Sequence, residues 1–383
     1  MHVAINGWFW DQPGVGSGLY LRELLTAMAR VSDGGTFTLV TPAHIGTPDD
    51  LPEGVKAHTT GGGPSGKLGK VWFEQNLFPG AVKQLDADLA HVPYWGPPLS
   101  SPAPLVTSVL DVIPLLFPVY AEGFANRLYV SLVRAAAQGS AHIITLTEAS
   151  KADIVEQLVV PDERVTAIHL APKPDYHPKM GSERDPEVAA KYNLPDDPFV
   201  LYLGGFDARK RLGQLFGAYS FVAKAHGDYT PLVIAGHEPE YREPLFPDAR
   251  ALAAEAEVPE DNIHWIGYVD AADMPALYRL AEIFVYPSAY EGFGLPLLEA
   301  MASGTPTVAN NIEMFSEIVG DGAFLTEDGS IAKMGGAILA MLEQQDLYES
   351  MSNRGLARAS NFNWRKTARA TLDVYKRALN EAG

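Results

Sequence analysis

The chain of 383 residues contains no cysteine, which excludes disulfide bonds, thiolate metal sites and cysteine nucleophiles. It also lacks any apolar run approaching the ~20 residues that a membrane-spanning helix needs. The first residues show neither the charged segment nor the long apolar segment of a signal peptide. These absences predict a soluble protein of the cytoplasm.

Basic side chains are also scarce, with 29 Lys and Arg against 47 Asp and Glu and a formal net charge of −18. An acidic surface of this size argues against nucleic-acid binding and allows at most peripheral contact with an anionic membrane. If the ligand is an anion, its site must be a local cluster of cations. Any run of Lys and Arg is therefore a candidate site.

Short apolar runs of strand length alternate with segments of helical periodicity, which predicts α/β domains built on doubly wound parallel sheets. In the first half, the predicted strands are residues 2–6, 37–40, 89–92, 105–110 and 142–146. The helices predicted between them lie near residues 19–28, 71–85, 125–138 and 150–158. A second series of strands is predicted at residues 199–203, 231–236, 264–267, 283–286 and 307–309.

A proline-rich stretch at residues 171–178 separates the two series and is predicted to be the linker between two domains. We expect an N-terminal Rossmann-like domain over residues 1–172 and a C-terminal one over residues 173–363. A last helix, predicted over residues 364–383, carries an apolar stripe. The stripe consists of Trp364, Ala368, Leu372, Tyr375 and Leu379. A glycine-rich tract at residues 61–66 is predicted to be a loop of the first domain.

The most informative segment is residues 288–304, where a glycine-rich loop and a helix follow a predicted strand. Pro296 suits the first turn of this helix and Gly304 the position just past its end. The free N–H groups at the helix start suit a phosphate, and the glycines let the backbone approach a ligand closely. Glu291 and Glu299 are predicted to face the carboxyl edge of the sheet, where carboxylates accept hydrogen bonds from sugar hydroxyls.

The second informative segment is the run Arg209, Lys210, Arg211, which follows a predicted strand and a turn of two glycines. In a chain with a net charge of −18, three successive cations form the local basic cluster that a diphosphate needs. The run therefore predicts where a diphosphate binds.

The sequence from Tyr290 to Val308, with seven residues between Glu291 and Glu299, resembles the signature of retaining glycosyltransferases of family 4. Shorter motifs extend this resemblance over nearly the whole chain, at residues 14–16, 72–75, 145–150, 267–269 and 362–364. The resemblance implies the GT-B fold, in which two Rossmann-like domains face a cleft and the last helix crosses back to the first domain.

The resemblance also implies a reaction. A mannose- or glucose-type hexose moves from a UDP- or GDP-sugar to a glycan, a lipid-linked or a small-molecule acceptor, in polysaccharide biosynthesis. The sugar keeps its anomeric configuration, and neither a metal nor a cofactor takes part.

The resemblance assigns roles to single residues. Lys210 neutralises the donor diphosphate, and Arg209 assists it because the family often has an arginine at the position of Gly205. Glu299 holds the ribose hydroxyls. Glu291, with the backbone amides at two neighbouring positions, holds the transferred sugar. The other residues expected to line the donor site are Gly16, Gly205, Tyr268, Val269, Phe293, Gly294 and Leu295, with Tyr268 and Val269 beside the base.

One departure from the family pattern concerns the segment before Ile113 and Pro114, where many members carry a His-Asp pair. Here Leu110 takes the histidine position and cannot bond a sugar hydroxyl or accept a proton. Asp111 remains as the candidate contact to the acceptor or the sugar. The family is thought to let the departing phosphate oxygen accept the acceptor proton, so that no side-chain base is required.

Two further polar features are weaker candidates. Asp86 and Asp88 spell the DxD pattern that binds a divalent cation in other transferases, but they lie where a helix meets a strand. We interpret them as a solvated turn and predict no metal. His237 follows a predicted strand and is equally consistent with a structural and a functional role.

Three alternative functions remain open. A nicotinamide dehydrogenase is suggested by the glycines at residues 14–18, although the GxGxxG spacing is absent and no ribose-binding acid follows the second strand. An epimerase or a phosphorylase could use the same fold. A catalytically silent nucleotide-sugar-binding protein is the third, because Leu110 replaces the usual histidine.

Overall fold

A computed structural model describes residues 1–31, 34–64, 66–121, 123–227 and 229–382. Two of the predicted segments extend outside the described residues, at Ser65 in the glycine-rich tract and at Gly383 in the last helix. By its internal contacts the chain divides into two units, Met1–Leu170 with Asn363–Gly383, and Ala171–Phe362. The boundaries expected after residues 172 and 363 lie two residues and one residue further along the chain.

The first unit is built on one parallel sheet. Its strands are β1 (His2–Asn6), β2 (Thr36–Thr41), β3 (Val55–Thr59), β4 (Leu89–Val92), β5 (Leu105–Ser108), β6 (His142–Thr145) and β7 (Val165–Ala167). They pair in the order β3-β2-β1-β4-β5-β6-β7. Its helices before residue 171 are α1 (Gly16–Val31), α2 (Gly66–Trp72), α3 (Phe78–Gln84), α4 (Ile113–Leu116), α5 (Phe124–Gln138) and α6 (Glu148–Leu158), and a π-helix (Phe73–Leu77) joins α2 to α3.

The second unit repeats this architecture. Its strands are β8 (Val200–Leu203), β9 (Leu232–Ala235), β10 (Ile263–Gly267), β11 (Ile283–Tyr286), β12 (Thr307–Asn310) and β13 (Phe324–Thr326). They form a parallel sheet in the order β10-β9-β8-β11-β12-β13. Its helices are α7 (Asp185–Lys191), α8 (Leu212–His226), α9 (Ala249–Glu255), α10 (Met274–Leu280), α11 (Leu295–Ala302), α12 (Glu313–Val319), α13 (Ile331–Glu343) and α14 (Gln345–Ala359).

The central strands are apolar runs because helices cover both faces of a parallel sheet. All residues of β4, β5, β6, β9, β11 and β12 are buried. The sequence pattern does not predict β3, β7 and β13. Each is an edge strand, and β7 and β13 have only three residues. Such strands bury less apolar surface, which is why they leave no apolar run in the sequence.

The stretch predicted to be a linker is a folded part of the second unit. Tyr176 is buried, and its ring meets that of Tyr278 edge to face at 5.8 Å. Further along, α7 packs on α10, and Asp185 pairs with Arg279 at 2.5 Å. A helix of seven residues held largely by ion pairs produces no apolar period, so the sequence pattern conceals it.

The last helix, α15 (Trp364–Ala382), belongs to the first unit, where it packs on α1. Its predicted apolar stripe is buried at Trp364, Ala368, Leu372 and Tyr375 and half-buried at Leu379. Tyr375 also forms a hydrogen bond of 2.7 Å with Nδ1 of the buried His91 on β4. Within the described residues, no helix combines the length and the apolar character needed to cross a bilayer.

Candidate active site

Two adjacent strands of the second unit bring the predicted site residues together. β8 and β11 pair directly, and the strand order reverses between them. Ligands of open α/β sheets bind outside the carboxyl ends of strands at such a point. The turn after β8 carries Arg209 and Lys210, and the loop after β11 carries Glu291. The backbone joins the two segments, because the N–H of Ala289 donates to the carbonyl of Arg209 at 2.8 Å.

Lys210 and Arg209 share one carboxylate oxygen. The Lys210 ammonium lies 2.5 Å from Oε1 of Glu291, and the Arg209 guanidinium lies 2.7 Å from the same atom. Lys210 is 6% exposed and also donates to the hydroxyl of Tyr286 at 2.7 Å. Tyr286 in turn donates to Glu291 Oε1 at 3.0 Å. We call Asp207, Arg209, Lys210, Tyr286 and Glu291 the cation cluster.

Electrostatics keep Glu291 ionised in this cluster. Burial alone would raise the pKa of its carboxyl, but Lys210 and Arg209 outweigh burial and lower the pKa to about 2. Arg209 also lies 3.2 Å from Asp207. Two cations therefore face two carboxylates, and the cluster is close to neutral. A diphosphate that enters must compete with Glu291 for the two cations.

Glu299 occupies a different environment in the second turn of α11. It is buried, and Tyr278 donates to its Oε2 at 3.3 Å. The hydroxyl of Tyr176 lies near the same carboxyl and donates to Sδ of Met274 at 3.9 Å. Burial raises the pKa of Glu299 to about 7, and the hydrogen bonds with the more distant charge of Lys173 reduce this effect only in part. The pKa of the Glu299 carboxyl therefore lies near neutral pH, and tyrosine side chains surround this carboxyl.

The start of α11 has the predicted geometry. Gly294 precedes the helix at a φ of 93°, and a Cβ there would lie 2.8 Å from Phe315, so only glycine fits. Leu295 begins the helix, Pro296 follows it, and Gly304 lies past its end. These helix boundaries confirm the prediction from Pro296 and Gly304.

The remaining residues predicted for the second unit lie in the segments that follow β8, β10 and β11. Gly205 follows β8 and accepts a 2.5 Å hydrogen bond from Tyr202. Phe293 is buried. Tyr268 and Val269 follow β10, two strands away from β8, which corresponds to ~10 Å. Tyr268 is 60% exposed, whereas Val269 is buried.

The predicted residues of the first unit lie at the carboxyl edge of its own sheet. Asp111 follows β5, and its Oδ1 accepts the N–H of Ile113 at 3.0 Å, which fixes the start of α4. Gly16 begins α1, and a Cβ there would meet open space. Asp86 and Asp88 lie at the opposite edge, before β4, and Asp88 accepts the N–H of His2 at 2.7 Å.

The first unit also contains a buried carboxylate that the sequence indicates only through the family-like motif at residues 72–75. Glu74, on the π-helix, is fully buried and accepts the hydroxyl of Tyr129 at 3.1 Å. The Lys70 ammonium lies 3.7 Å from Glu74 and about 5 Å from the ring centres of Phe9, Tyr94 and Tyr129. Burial raises the pKa of Glu74 to about 7.

Sequence reasoning named Lys210, Arg209 and Glu291 but missed the other members of the cation cluster and the tyrosines around Glu299. Asp207 stands two residues before Arg209, and Tyr286 ends the strand before the glycine-rich loop, so each lies beside a motif that the sequence shows. Tyr176 and Tyr278 stand far from any motif, and only the fold brings them to Glu299.

Comparison with solved structures gives the class of the fold. Sucrose-phosphate synthase from Thermosynechococcus elongatus superposes with a TM-score of 0.75 at 21% identity, over 100% of both chains. HepE from Anabaena, solved in complex with UDP and glucose, gives a TM-score of 0.71 at 16% identity, over 98% of this chain and 99% of that one. The protein has the GT-B fold of glycosyltransferases, with two Rossmann-like parallel-sheet domains.

Family models identify the chain more closely. The model for glycosyl transferases group 1 matches residues 185–358, and the model for glycosyltransferase family 4 matches residues 15–171. The chain belongs to glycosyltransferase family 4, as its motifs predict.

Curated relatives include several sugar transferases. O-antigen chain mannosyltransferase B of Escherichia coli is 33% identical over 61% of this chain and 60% of that protein. Serotype-specific mannosyltransferase WbdA of Escherichia coli is 29% identical over 71% of this chain, which spans only a third of that protein. D-inositol 3-phosphate glycosyltransferase of Nocardia farcinica is 27% identical over 97% of this chain and 87% of that protein.

Proposed function

We propose that the protein transfers a mannose- or glucose-type hexose from a nucleoside diphosphate sugar to a glycan, lipid-linked or small-molecule acceptor, with retention and without a metal. The observation that carries the proposal is the cation cluster at the ends of β8 and β11. It combines the buried Lys210 and the half-buried Arg209 with a carboxylate that stays ionised, which suits a diphosphate beside a sugar. The mannosyltransferases among the relatives support a mannose donor and a role in polysaccharide biosynthesis.

The chemistry follows from the charges. The donor diphosphate takes Lys210 and Arg209 as partners, and these cations stabilise the negative charge that develops on the leaving group. Glu291, released from them, accepts hydrogen bonds from the sugar hydroxyls, and Glu299 accepts those of the ribose. The bond from the anomeric carbon to the phosphate oxygen breaks. The bond to the acceptor oxygen forms on the same face, and the acceptor proton passes to the departing phosphate oxygen.

The test measures release of nucleoside diphosphate from UDP-glucose, GDP-mannose and related donors, with and without oligosaccharide acceptors. Transfer gives a lengthened acceptor and stoichiometric nucleoside diphosphate. Absence of both products with every donor would refute the proposal, and binding without release would indicate the silent nucleotide-sugar-binding alternative that Leu110 suggests. A changed sugar on an intact nucleotide would instead indicate an epimerase.

We also place the reaction in the cytoplasm, with at most peripheral contact with a membrane. Cell fractionation, followed by a wash in high salt, tests this placement. Protein that stays with the membrane after the wash would contradict it.

A further inference from the structure

A cavity of about 400 Å³ opens in the first unit at the carboxyl edge of its sheet. Its walls come from the segments that follow three neighbouring strands. Trp8 follows β1, His44 follows β2 and the glycines Gly61–Gly63 follow β3, while Phe73 of the π-helix closes one side. Ligands of parallel α/β sheets bind at this edge.

Aromatic rings line the cavity. Trp8 meets His44 edge to face at 5.1 Å and Phe73 at 5.5 Å. Among the described residues that line it, there is no Asp, Glu, Lys or Arg. The backbone N–H groups of Gly61–Gly63 find no acceptor within the part of the chain that the structure describes. Together these walls offer an aromatic face beside free hydrogen-bond donors.

We propose that this cavity binds an uncharged sugar ring of the acceptor, stacked on Trp8, with its hydroxyls bonded by the backbone of Gly61–Gly63. This inference rests on the proposed function and names its acceptor class. A sugar ring presents an apolar face of C–H groups and an edge of hydroxyls, and the cavity matches both. A phosphorylated acceptor group would lose its hydration here without gaining a Lys or Arg partner among the described lining residues.

The position of the cavity adds a length requirement. Its centre lies near β2, and Asp111, the proposed contact of the reacting sugar, follows β5. The sheet order places three strand spacings between β2 and β5, which is ~14 Å. Because one sugar ring is shorter than this, the cavity holds a unit beyond the one that accepts the hexose. The acceptor is therefore an extended neutral glycan rather than a phosphorylated cyclitol.

The experiment compares a series of neutral mannose oligosaccharides with inositol 3-phosphate as acceptors. We expect KM to fall as the oligosaccharide grows from one to four units, and inositol 3-phosphate to be a poor acceptor. Trp8→Ala should raise KM for the tetrasaccharide about tenfold, because an aromatic contact is lost. It should not raise KM for the monosaccharide, which is too short to reach the cavity.

Two variants keep the test independent of folding. Trp8→Phe retains an aromatic face and should restore most of the affinity. Gly62→Leu should also raise KM for the tetrasaccharide, because a Cβ there meets open space and the longer side chain narrows the cavity. Phe124→Ala, which removes an aromatic ring that is 83% exposed on α5, is the matched control and should change nothing. An unchanged urea-unfolding midpoint, together with an unchanged KM for the monosaccharide, reports that the first unit of each variant is folded.

The outcomes separate the two proposals. Equal KM values for the tetrasaccharide in wild type and Trp8→Ala, or a preference for inositol 3-phosphate, would overturn the cavity assignment while leaving the transferase intact. If no transfer occurs with any donor, the proposed function fails. Equilibrium dialysis of a radiolabelled tetrasaccharide then still decides the inference, since binding that Trp8→Ala does not weaken would refute it.

Discussion

Glu291 and Glu299 stand eight positions apart in one motif, and neither is exposed, since Glu299 is buried and Glu291 is half-buried. Their neighbours nevertheless shift the two pKa values in opposite directions. Glu291 meets two cations, which lower its pKa to about 2. Glu299 meets the hydroxyls of Tyr278 and Tyr176, and its burial raises its pKa to about 7. The same residue type is therefore a permanent anion in one place and a titrating group in the other. Neighbouring side chains, more than burial, decide the charge of a carboxyl here.

The largest expected effect comes from removing a cation that contacts Glu291. Lys210→Ala should lower the transfer rate about 100- to 1,000-fold, because charge on the leaving diphosphate loses a buried partner. Calorimetry should show weaker binding of nucleoside diphosphate and nearly unchanged binding of nucleoside. Arg211→Ala is the matched control, because Arg211 pairs with Asp328 rather than with Glu291. Unchanged diphosphate affinity in Lys210→Ala would contradict the role of this cation.

The second prediction concerns how Glu299 makes the stability of the protein depend on pH. A folded-state pKa of about 7 against 4.5 means that folding favours the protonated carboxyl. Its stabilising contribution is present below pH 4.5 and is lost as pH rises through 7, to a total of about 3 kcal/mol. Glu299→Gln should therefore gain stability relative to wild type between pH 5 and pH 8.

Urea unfolding of wild type and Glu299→Gln at pH 5 and at pH 8 measures how their difference in stability changes with pH. The opposite sign applies to Glu291, whose stabilising contribution is present above pH 4.5 and is lost as pH falls towards 2. Between pH 5 and pH 8, the free energy of unfolding of Glu291→Gln should therefore vary with pH as that of wild type does. A difference between wild type and Glu299→Gln that does not vary with pH would show that Glu299 is not the titrating group.

The third prediction separates the roles of the two glutamates. Glu291→Gln removes the anion that competes for Lys210 and Arg209, so free nucleoside diphosphate should bind about tenfold more tightly, while turnover of the sugar donor falls. Glu299→Ala should weaken nucleotide and donor alike, because it acts on the ribose. Titration calorimetry with UDP or GDP and with the matching sugar nucleotide distinguishes the two. Equal losses of nucleotide affinity in both variants would contradict separate roles for Glu291 and Glu299.

The smallest expected effect is that of a chelator. Because we propose that Lys210 and Arg209 supply the charge that a divalent cation supplies elsewhere, activity should persist in excess EDTA. An α-linked donor should give an α-linked product, read from the anomeric coupling in proton NMR. A β-linked product would contradict retention. Loss of activity in EDTA, with recovery on adding manganese, would contradict metal independence and would make Asp86 and Asp88 candidate metal ligands.

Local signals explain which features the sequence predicts well. Glycine and proline set the bounds of α11, and continuous apolar runs mark the central strands, so the motif and its sheet edge follow directly. The environment of each glutamate does not follow, since it depends on side chains from separate elements. Tyr176 lies in a stretch whose prolines suggest a linker, and its contact with Glu299 arises only when that stretch folds onto α10 and α11.

The chain order of the two units has a consequence for synthesis. The second unit is one continuous segment, Ala171–Phe362, whereas the first needs α15, which follows it. A ribosome therefore releases every residue of the second unit before the first unit receives the helix that carries Tyr375 to His91. Until then the surface of α1 that α15 covers stays exposed. Truncation that removes α15 should therefore destabilise the first unit rather than the second unit, which precedes α15 in the chain.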